Sequence, residues 1–283
     1  MKLLTFNQNG TPCVGLREDS GIRDLSPLAD QLGTTLKTML ECETLGRIHD
    51  QDLSQLPLID PDTISYLPPI PNPDKILCIG INYARHIEET GMPKPRRPMV
   101  FTRFPDTQVG HGEALVRPAA SNKYDFEGEL AVVIGRSARN VPADQALDYI
   151  AGYSCYNDGS VRDWQMHTSQ FTPGKNFPRS GSFGPWMVTP DEIPDPSQLH
   201  LMTRVNGETL QDTLTSDLIF DIPALIEYIS TFTPLSPGDV IVTGTPGGAG
   251  AFRDPKVWLQ PGDRVEVEIE GVGLLSNEVV AED

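Results

Sequence analysis

The sequence predicts a β-rich α+β fold, in which a small N-terminal α/β module precedes a larger β-rich domain. Three observations support this in the 283-residue chain. Short strand-like runs greatly outnumber helical ones, no regular βαβα rhythm or internal repeat is present, and prolines cluster at residues 67–74. We therefore divide the chain into a module at 1–66, a linker at 67–74 and a domain at 75–283.

The N-terminal module begins with two strand-like runs, MKLLTF and CVGLRE. Asn9-Gly10 lies between them and is a good hairpin turn. Ser26 followed by Pro27 suits an N-cap and the first helical position, which predicts a helix toward Leu45. The prolines that follow predict a stiff linker.

The larger domain reads as a series of strands with few helices. KILCIGIN is the first strand, and further strands are predicted at 128–135, 150–156, 199–206, 239–244 and 264–270. The last of these, RVEVEIE, alternates apolar and acidic residues, which indicates an antiparallel strand with one solvated face. Helices are predicted at HIEETG, with a glycine stop, at 143–149 and at 221–231. The domain should therefore be a barrel, roll or sandwich.

Charge and composition exclude several kinds of partner. The net charge of −17 repels nucleic acid and anionic membranes, so neither is expected as a partner. No apolar stretch is long enough to span a bilayer, and the N-terminus lacks the features of a signal peptide. Four scattered cysteines without a CxxC motif indicate reduced thiols and a cytoplasmic location. A small anionic substrate would need a metal or clustered cations in its site.

Two carboxylates stand at the start of a buried strand in YDFEGELAVVIG. Because side chains alternate along a strand, Glu127 and Glu129 should point to the same side, where they repel each other unless a cation lies between them. Asp158 ends a later apolar strand. Three such carboxylates without Cys or His suit Mg²⁺ or Mn²⁺, and suit Ca²⁺ less well. The residues alone leave an alternative open: the pair could be a solvated strand face, and Asp158 a turn residue.

A set of motifs in this order resembles the fumarylacetoacetate hydrolase family. They run from Lys75 to Val280 and read KILCIGINYARHIEE, DFEGELAVVIG, GYSCYNDGSVRDWQ, GKNF, GPWMVTPDE, VNGETLQ and PGDVIVTGTPGG. The resemblance implies a mixed β-roll catalytic domain, a homodimer, and a divalent metal on Glu127, Glu129 and Asp158. It also implies small 2-oxo acids as substrates.

The remaining catalytic residues come from this resemblance. His86 and Glu89, at helical spacing i and i+3, would form a dyad in a lid, in which His86 deprotonates water and Glu89 supports it. Lys175 would place a cation near the reacting carbonyl. Without the family, the dyad could be an ordinary charge pair and the lysine an exposed one.

Four further residues are expected to bind the substrate. Arg162 and Gln165 follow Asp158 by four and seven residues, so a helix would place all three on one face. Thr245 lies in a turn after a strand, where a hydroxyl and amides can hold a carboxylate. Arg103, at the end of a short apolar run, is expected to face the site. The alternatives are a surface salt bridge for Arg162 and a purely structural turn at Thr245.

The sequence thus predicts a metal-dependent hydrolase that cleaves a carbon–carbon bond in a 2,4-dioxo acid. Asn82 stands where fumarylacetoacetases proper have an aspartate as a fourth metal ligand, which disfavours fumarylacetoacetate and favours an acylpyruvate-type substrate. Decarboxylation of oxaloacetate, isomerisation or hydration of a 2-oxo diacid, and non-catalytic ligand binding remain alternatives on the same scaffold.

Overall fold

The computed structural model describes residues 1–91 and 93–283, apart from the side chains of His86, Glu88 and Thr90. Its strands are β1 Lys2–Gln8, β2 Thr11–Glu18, β3 Gly21–Asp24, β4 Leu58–Ile59, β5 Ser65–Leu67, β6 Ile76–Gly80, β7 Met99–Arg103, β8 Gln108–Val109, β9 Leu115–Arg117, β10 Tyr124–Asp125, β11 Gly128–Ile134, β12 Ile150–Asn157, β13 Ser160–Val161, β14 Gly181–Val188, β15 His200–Val205, β16 Glu208–Leu214, β17 Val240–Val242, β18 Arg264–Ile269 and β19 Gly273–Ala281.

The α-helices are mostly short. They are α1 Ala29–Leu32, α2 Leu36–Glu41, α3 Ala84–Thr90, α4 Arg162–Gln165, α5 Thr172–Lys175 and α6 Ile222–Phe232. Turns of 3₁₀ helix lie at Ser26–Leu28, Leu45–Asp50, Leu53–Gln55, Pro61–Thr63, Pro105–Thr107, Ala143–Tyr149, Pro190–Glu192, Thr215–Asp217 and Gly250–Phe252. Across the described residues, no helix combines the length and apolar character that a membrane crossing requires.

Two sheets and the helix α6 enclose the core. The larger sheet has the strand order β4-β3-β2-β1-β14-β12-β11-β17-β6-β7, and the five-stranded sheet has the order β16-β15-β18-β19-β9. Leu130 and Val132 of β11 pack toward α6 and the smaller sheet, whereas Ala131 and Val133 pack toward the N-terminal helices. β11 is therefore buried on both faces, which explains its continuous apolar run.

Most predicted strands are present, and the strand β18 is antiparallel to both of its neighbours as its alternation predicts. The Asn9-Gly10 hairpin is confirmed, with φ of 53° and 86° at the two residues. The single helix predicted from Ser26 toward Leu45 is wrong, because Gly33, at φ 114°, separates α1 from α2. Residues 143–149 form a 3₁₀ helix. The strands β7, β14, β16 and β19 were not predicted, and neither were the strands of two to four residues outside the predicted ranges.

The N-terminal strands continue the main sheet. β1 pairs antiparallel with β14 of the larger domain, and β5 pairs with β1. The division into a module, a linker and a domain stays a prediction, but its first part adds an edge to the sheet that carries the candidate site.

His111 connects this edge to the smaller sheet and should make stability depend on pH. Its Nδ1 accepts the amide of Ser276, and its ring lies edge-on to Tyr66. Burial lowers the pKa of His111 below its usual value of 6.5. As the pH falls, the unfolded chain binds a proton at this histidine before the folded protein does. The contribution of neutral His111 to the free energy of unfolding is therefore complete above pH 6.5 and is lost as the pH falls through the lowered pKa of the folded state.

Below pH 6.5 the free energy of unfolding should therefore fall with pH, and we call this fall the acid limb. We expect His111→Asn to make the acid limb less steep, as measured by urea unfolding between pH 7 and 5. His167→Asn, at an exposed histidine, is the control and should leave the limb unchanged. An identical acid limb in the wild type and His111→Asn would contradict the assignment.

Candidate metal and substrate site

Three buried carboxylates meet where β11 begins and β12 ends. One oxygen from each of Glu127, Glu129 and Asp158 lies within 4.8 Å of the others. Glu129 is paired into the strand opposite Tyr156, and the amide of Asp158 donates to the carbonyl of Glu127 at 2.8 Å. The antiparallel pairing of β11 and β12 thus places the third carboxylate beside the predicted pair.

Buried cations surround these carboxylates. The Lys175 Nζ lies 2.5 Å from Glu127 Oε2 and 2.6 Å from Asp158 Oδ2. Arg103 binds the other oxygen of Asp158 at 2.6 Å, and Arg162 binds the other oxygen of Glu127 at 2.7 Å. Glu129 accepts the amide of Gly244 at 2.5 Å. Each carboxylate is therefore held in place by a donor from a different part of the chain.

The donor set fits a hard divalent cation. The three carboxylates offer oxygen ligands only, as Mg²⁺ and Mn²⁺ prefer. A carboxylate has about four acceptor positions, so the donors on Glu127, Asp158 and Glu129 leave lone pairs for a metal. Burial and the charges of Asp158 and Glu127 raise the pKa of Glu129 well above its usual range. A bound cation would relieve this crowding.

Glu127 and Glu129 line a cavity of about 510 Å³, whereas Asp158 is fully buried beside them and does not belong to its lining. Arg162 and Gln165 reach it from α4 and are joined by a hydrogen bond of 3.0 Å from Nη1 to Oε1. Lys175, at the end of α5, also lines it, and Thr245 contributes from the turn after β17. The volume lies within the range of ~300–1,000 Å³ that small-molecule sites occupy.

Two residues predicted to bind substrate have other contacts. Arg103 is 2% exposed, and it donates to Asp158, to the carbonyl of Gly159 and to the hydroxyl of Ser180. Among the described residues it does not line the cavity, so the geometry gives it the role of holding Asp158. Thr245 lines the cavity, but its hydroxyl donates to Gly128 and accepts from Gln211.

The helix α3 carries the predicted dyad. The side chain of His86 lies outside the described residues, so its role stays a prediction. The two carboxylate oxygens of Glu89 each accept the amide of Gly248 at 3.1 Å. The helix ends at Gly91, in the left-handed conformation expected of a glycine stop. Glu89 therefore connects α3 to the glycine-rich turn beside the cavity.

Asn82 crosslinks backbone segments through both atoms of its side-chain amide. Its Nδ2 donates to the carbonyls of Phe220 and Thr243, and its Oδ1 accepts the amide of Phe220. The preceding Ile81 has φ 55°, an unusual conformation for a β-branched residue, and it lines the cavity. The three-carboxylate arrangement predicted from Asn82 agrees with these contacts.

Asp125 is an organising residue that the sequence analysis missed. It accepts the amides of Gly250 and Ala251 and the Nε of Arg162 at 2.8–2.9 Å. It therefore fixes both the guanidinium that reaches Glu127 and the loop at one side of the cavity. The sequence did contain a signal for it. Asp125, Glu127 and Glu129 are spaced by two residues, so in an extended chain all three point to the same side.

Gly128 allows the smaller sheet to approach the carboxylates. A Cβ added there would lie 1.9 Å from the Oγ1 of Thr203, an oxygen without a hydrogen-bond partner among the described residues. We expect Gly128→Ala to lower the free energy of unfolding by about 1–3 kcal/mol through overpacking, as measured by urea unfolding.

Adding Thr203→Ala should recover part of this loss, because it removes the clashing oxygen. Thr203→Ala alone is the control and should cost little, since its hydroxyl makes no bond. A double variant no more stable than Gly128→Ala would contradict the proposed clash.

Comparison with known proteins identifies the family of this chain. Residues 75–280 match the family model described as fumarylacetoacetate (FAA) hydrolase C-terminal. The chain belongs to the fumarylacetoacetate hydrolase family. Oxaloacetate tautomerase FAHD2A, mitochondrial, from Bos taurus is 38% identical over 275 residues, which cover 95% of this chain and 88% of the bovine protein.

Two solved structures of family members have the same fold over their whole length. A fumarylacetoacetate hydrolase from Exiguobacterium antarcticum matches with a TM-score of 0.89 and 35% identity, with 100% of both chains covered. Maleylpyruvate hydrolase from Sphingobium sp. SYK-6, in complex with manganese(II) and pyruvate, matches with 0.85 and 28%, again over 100% of both chains. The β-rich α+β fold is confirmed. The family consists of enzymes with hydrolase- or isomerase-type activity on oxo acids.

Proposed function

We propose that this protein is a divalent-metal-dependent hydrolase that cleaves the C3–C4 bond of a 2,4-dioxo acid of the acylpyruvate type. The observation that carries the proposal is the cluster of three buried carboxylates, two of which line a large cavity together with Arg162 and Lys175. The manganese and pyruvate bound by the Sphingobium relative support both the metal and the pyruvate product.

The metal would be Mg²⁺ or Mn²⁺, held by Glu127, Glu129 and Asp158. When bound, it supplies Lewis acidity that polarises a 2-oxo group and favours enolate formation. The chain's own residues would then orient the substrate. Arg162 and Gln165 present a guanidinium and an amide for the 1-carboxylate.

Lys175 would supply positive charge where the reacting carbonyl gains negative charge, since the residue lines the cavity and its Nζ contacts Glu127 and Asp158. His86, the predicted base, would remove a proton from the water that adds to C4. Cleavage of C3–C4 then leaves its electron pair on C3 of the pyruvate fragment, which takes up the proton that His86 removed, while C4 becomes the carbon of a carboxylic acid.

The second candidate is tautomerisation of a 2-oxo diacid at the same site. The 38% identity to oxaloacetate tautomerase over 95% of this chain favours it. That reaction needs enolisation but no attacking water. The hydrolytic reaction additionally needs a base for the attacking water, which is the role predicted for His86.

An ultraviolet assay with acetylpyruvate and with oxaloacetate, each with and without EDTA, tests both candidates. We expect metal-dependent loss of acetylpyruvate and formation of pyruvate and acetate. His86→Ala should abolish this reaction, whereas His167→Ala, at an exposed histidine, should not. Metal-dependent conversion of oxaloacetate with no cleavage of acylpyruvates would overturn the hydrolase proposal in favour of tautomerisation.

The assembly and location are part of this proposal. We propose a homodimer, as the family resemblance of the sequence implies, and sedimentation of the purified protein tests it. A cytoplasmic location rests on the sequence alone, and the mitochondrial location in the name of the bovine relative is the competing expectation.

A further inference from the structure

Gln211 reaches the strand of the candidate metal ligands from the smaller sheet. It lies on β16, at the edge of that sheet, and it is 1% exposed. Its Oε1 accepts the amide of Gly128 at 2.9 Å, and its Nε2 donates to the hydroxyl of Thr245 at 2.8 Å and to the carbonyl of Pro246 at 3.0 Å. One side chain thus connects the residue between two carboxylates to the turn after β17.

The buried amide of Gly128 needs this partner because the neighbouring strand β17 does not extend that far. β17 ends at Val242, and the next residue, Thr243, donates its amide to the carbonyl of Leu130 at 3.0 Å. Gly128 lies two residues before Leu130, so its amide and carbonyl face the same side of β11. A buried amide without a partner costs free energy, and the Oε1 of Gln211 takes the place of a strand carbonyl.

The orientation of the Gln211 amide is fixed by groups that have only one hydrogen-bonding role. A backbone N–H only donates and a carbonyl only accepts, so Oε1 must face Gly128 and Nε2 must face Pro246. The oxygen of Thr245, which also faces Nε2, therefore accepts, and its own proton goes to the carbonyl of Gly128 at 3.0 Å. These hydrogen bonds close a ring that includes both the amide and the carbonyl of Gly128.

The ring holds the two peptide groups that connect the carboxylates of the E-x-E pair. The amide of Gly128 belongs to the peptide group that joins it to Glu127, and its carbonyl belongs to the one that joins it to Glu129. The close approach of Thr203 requires a glycine at this position. Because glycine adopts the widest range of backbone conformations, the orientation of the two carboxylates depends on the restraint that Gln211 supplies.

The turn that Gln211 holds also binds one of the ligands directly. Gly244, which precedes Thr245, has φ 108° and donates its amide to Glu129 at 2.5 Å. Gln211 binds the next two residues of this turn, Thr245 and Pro246. It therefore restrains Glu129 by two routes, through the backbone of β11 and through the amide of Gly244.

We infer that Gln211 is a positioning residue of the metal site, which sets the relative orientation of Glu127 and Glu129 through the ring around Gly128. As the structure describes the cavity, Gln211 does not line it, so it acts through other residues. This inference rests on the metal site of the proposed function. Residues that orient metal ligands in this way typically contribute about 10–100-fold to metal affinity.

Binding of Mn²⁺ to the metal-free protein tests this role without turnover. In electron paramagnetic resonance, the signal of the free ion gives the affinity, and the zero-field splitting of the bound ion reports the geometry of its ligands. We expect Gln211→Met, which keeps the length of the side chain without its amide, to lower Mn²⁺ affinity about 10–100-fold and to change the bound spectrum.

A second pair of variants breaks and restores the same ring. Thr245→Val keeps the shape of the side chain without its hydroxyl, and it should lower Mn²⁺ affinity less than Gln211→Met, because the amide of Gly128 keeps its partner. Thr245→Ser should recover the affinity that Thr245→Val loses. The double variant Gln211→Met with Thr245→Val should bind Mn²⁺ no more weakly than Gln211→Met alone, since both changes act on one ring.

Asn277→Leu is the matched control for the loss of a buried amide. Asn277 is 2% exposed, and its Nδ2 donates to the carbonyls of Gly110 and Glu113, none of which lines the cavity as the structure describes it. This variant should lower the free energy of unfolding, but its Mn²⁺ affinity and bound spectrum should match those of the wild type.

The outcomes separate this inference from the proposed function. Unchanged Mn²⁺ affinity and spectrum in Gln211→Met and Thr245→Val, or equal losses in Asn277→Leu, would overturn the inference alone. If Gln211→Met does not fold, Thr245→Val and Thr245→Ser decide. A wild type that binds no Mn²⁺ would overturn both the proposed metal site and the inference. Metal binding as expected, with no cleavage of any 2,4-dioxo acid, would overturn only the proposed reaction.

Discussion

Replacing Glu129 by glutamine should greatly weaken metal binding while leaving the metal-free protein folded. Glu129 is 2% exposed and lies within 4.8 Å of two other carboxylates. Glutamine keeps the shape and can still accept the amide of Gly244, but it removes one negative charge. We expect a loss of at least about 100-fold in Mn²⁺ affinity and of about 1,000-fold in kcat/KM at subsaturating metal.

The stability of the variant gives a second measure. Because the neutral amide relieves repulsion among the carboxylates, the metal-free variant should be as stable as the metal-free wild type or more stable. In the wild type, Mn²⁺ should raise Tm through binding to the native state. In Glu129→Gln this rise should vanish, as measured by calorimetry with and without the metal.

An E-x-E pair on a partly solvated strand provides the matched control. Glu266 and Glu268 lie on β18 and are partly exposed, and Glu268 pairs with Arg204. Glu266→Gln should change neither Mn²⁺ affinity nor its effect on Tm. If Glu129→Gln bound Mn²⁺ as the wild type does, the three-carboxylate site would be wrong.

The contrast between these two pairs shows which features of the site can be predicted from a short stretch of sequence. RVEVEIE and FEGELAVV have the same carboxylate spacing, but in the second a continuous apolar run follows, and β11 is buried on both faces. The helical spacing of Arg162 and Gln165 was also readable from sequence, and α4 brings them together. Such features depend on residues close in the chain.

Other parts of the site depend on contacts between distant segments. Arg103 could not be assigned to Asp158 from sequence, because 55 residues separate them and only the packing of β7 beside the site joins them. The same holds for Glu89 and Gly248, which lie 159 residues apart. The break between α1 and α2 had a local signal in Gly33. The apparent N-cap at Ser26 and the proline after it nevertheless led to the prediction of one long helix.

Replacing Lys175 by methionine should separate catalysis from metal binding. Its side chain is 1% exposed, and its ammonium contacts one oxygen each of Glu127 and Asp158 and lies 5.1 Å from the ring centroid of Phe101. Methionine fills a similar volume without the charge. We expect kcat to fall by about 100–1,000-fold, as when one oxyanion donor is removed.

Metal affinity should change in the opposite direction from that of Glu129→Gln. Without the ammonium, the carboxylates carry a more negative potential, so Lys175→Met should bind Mn²⁺ at least as tightly as the wild type. The metal-free variant should lose about 3–5 kcal/mol of stability, because two buried carboxylates lose their cation. Mn²⁺ should restore part of this loss, since it neutralises the same groups.

Lys75→Met is the control that separates stability from catalysis. Lys75 lies 2.9 Å from Asp239, a fully buried carboxylate remote from the cavity lining. This variant should also lose stability, but its kcat and Mn²⁺ affinity should match those of the wild type. A Lys175→Met enzyme that kept kcat within about 3-fold of the wild type would show that the ammonium only supports the carboxylates. A large loss of kcat with unimpaired Mn²⁺ binding would instead place the charge of Lys175 at the reacting atoms.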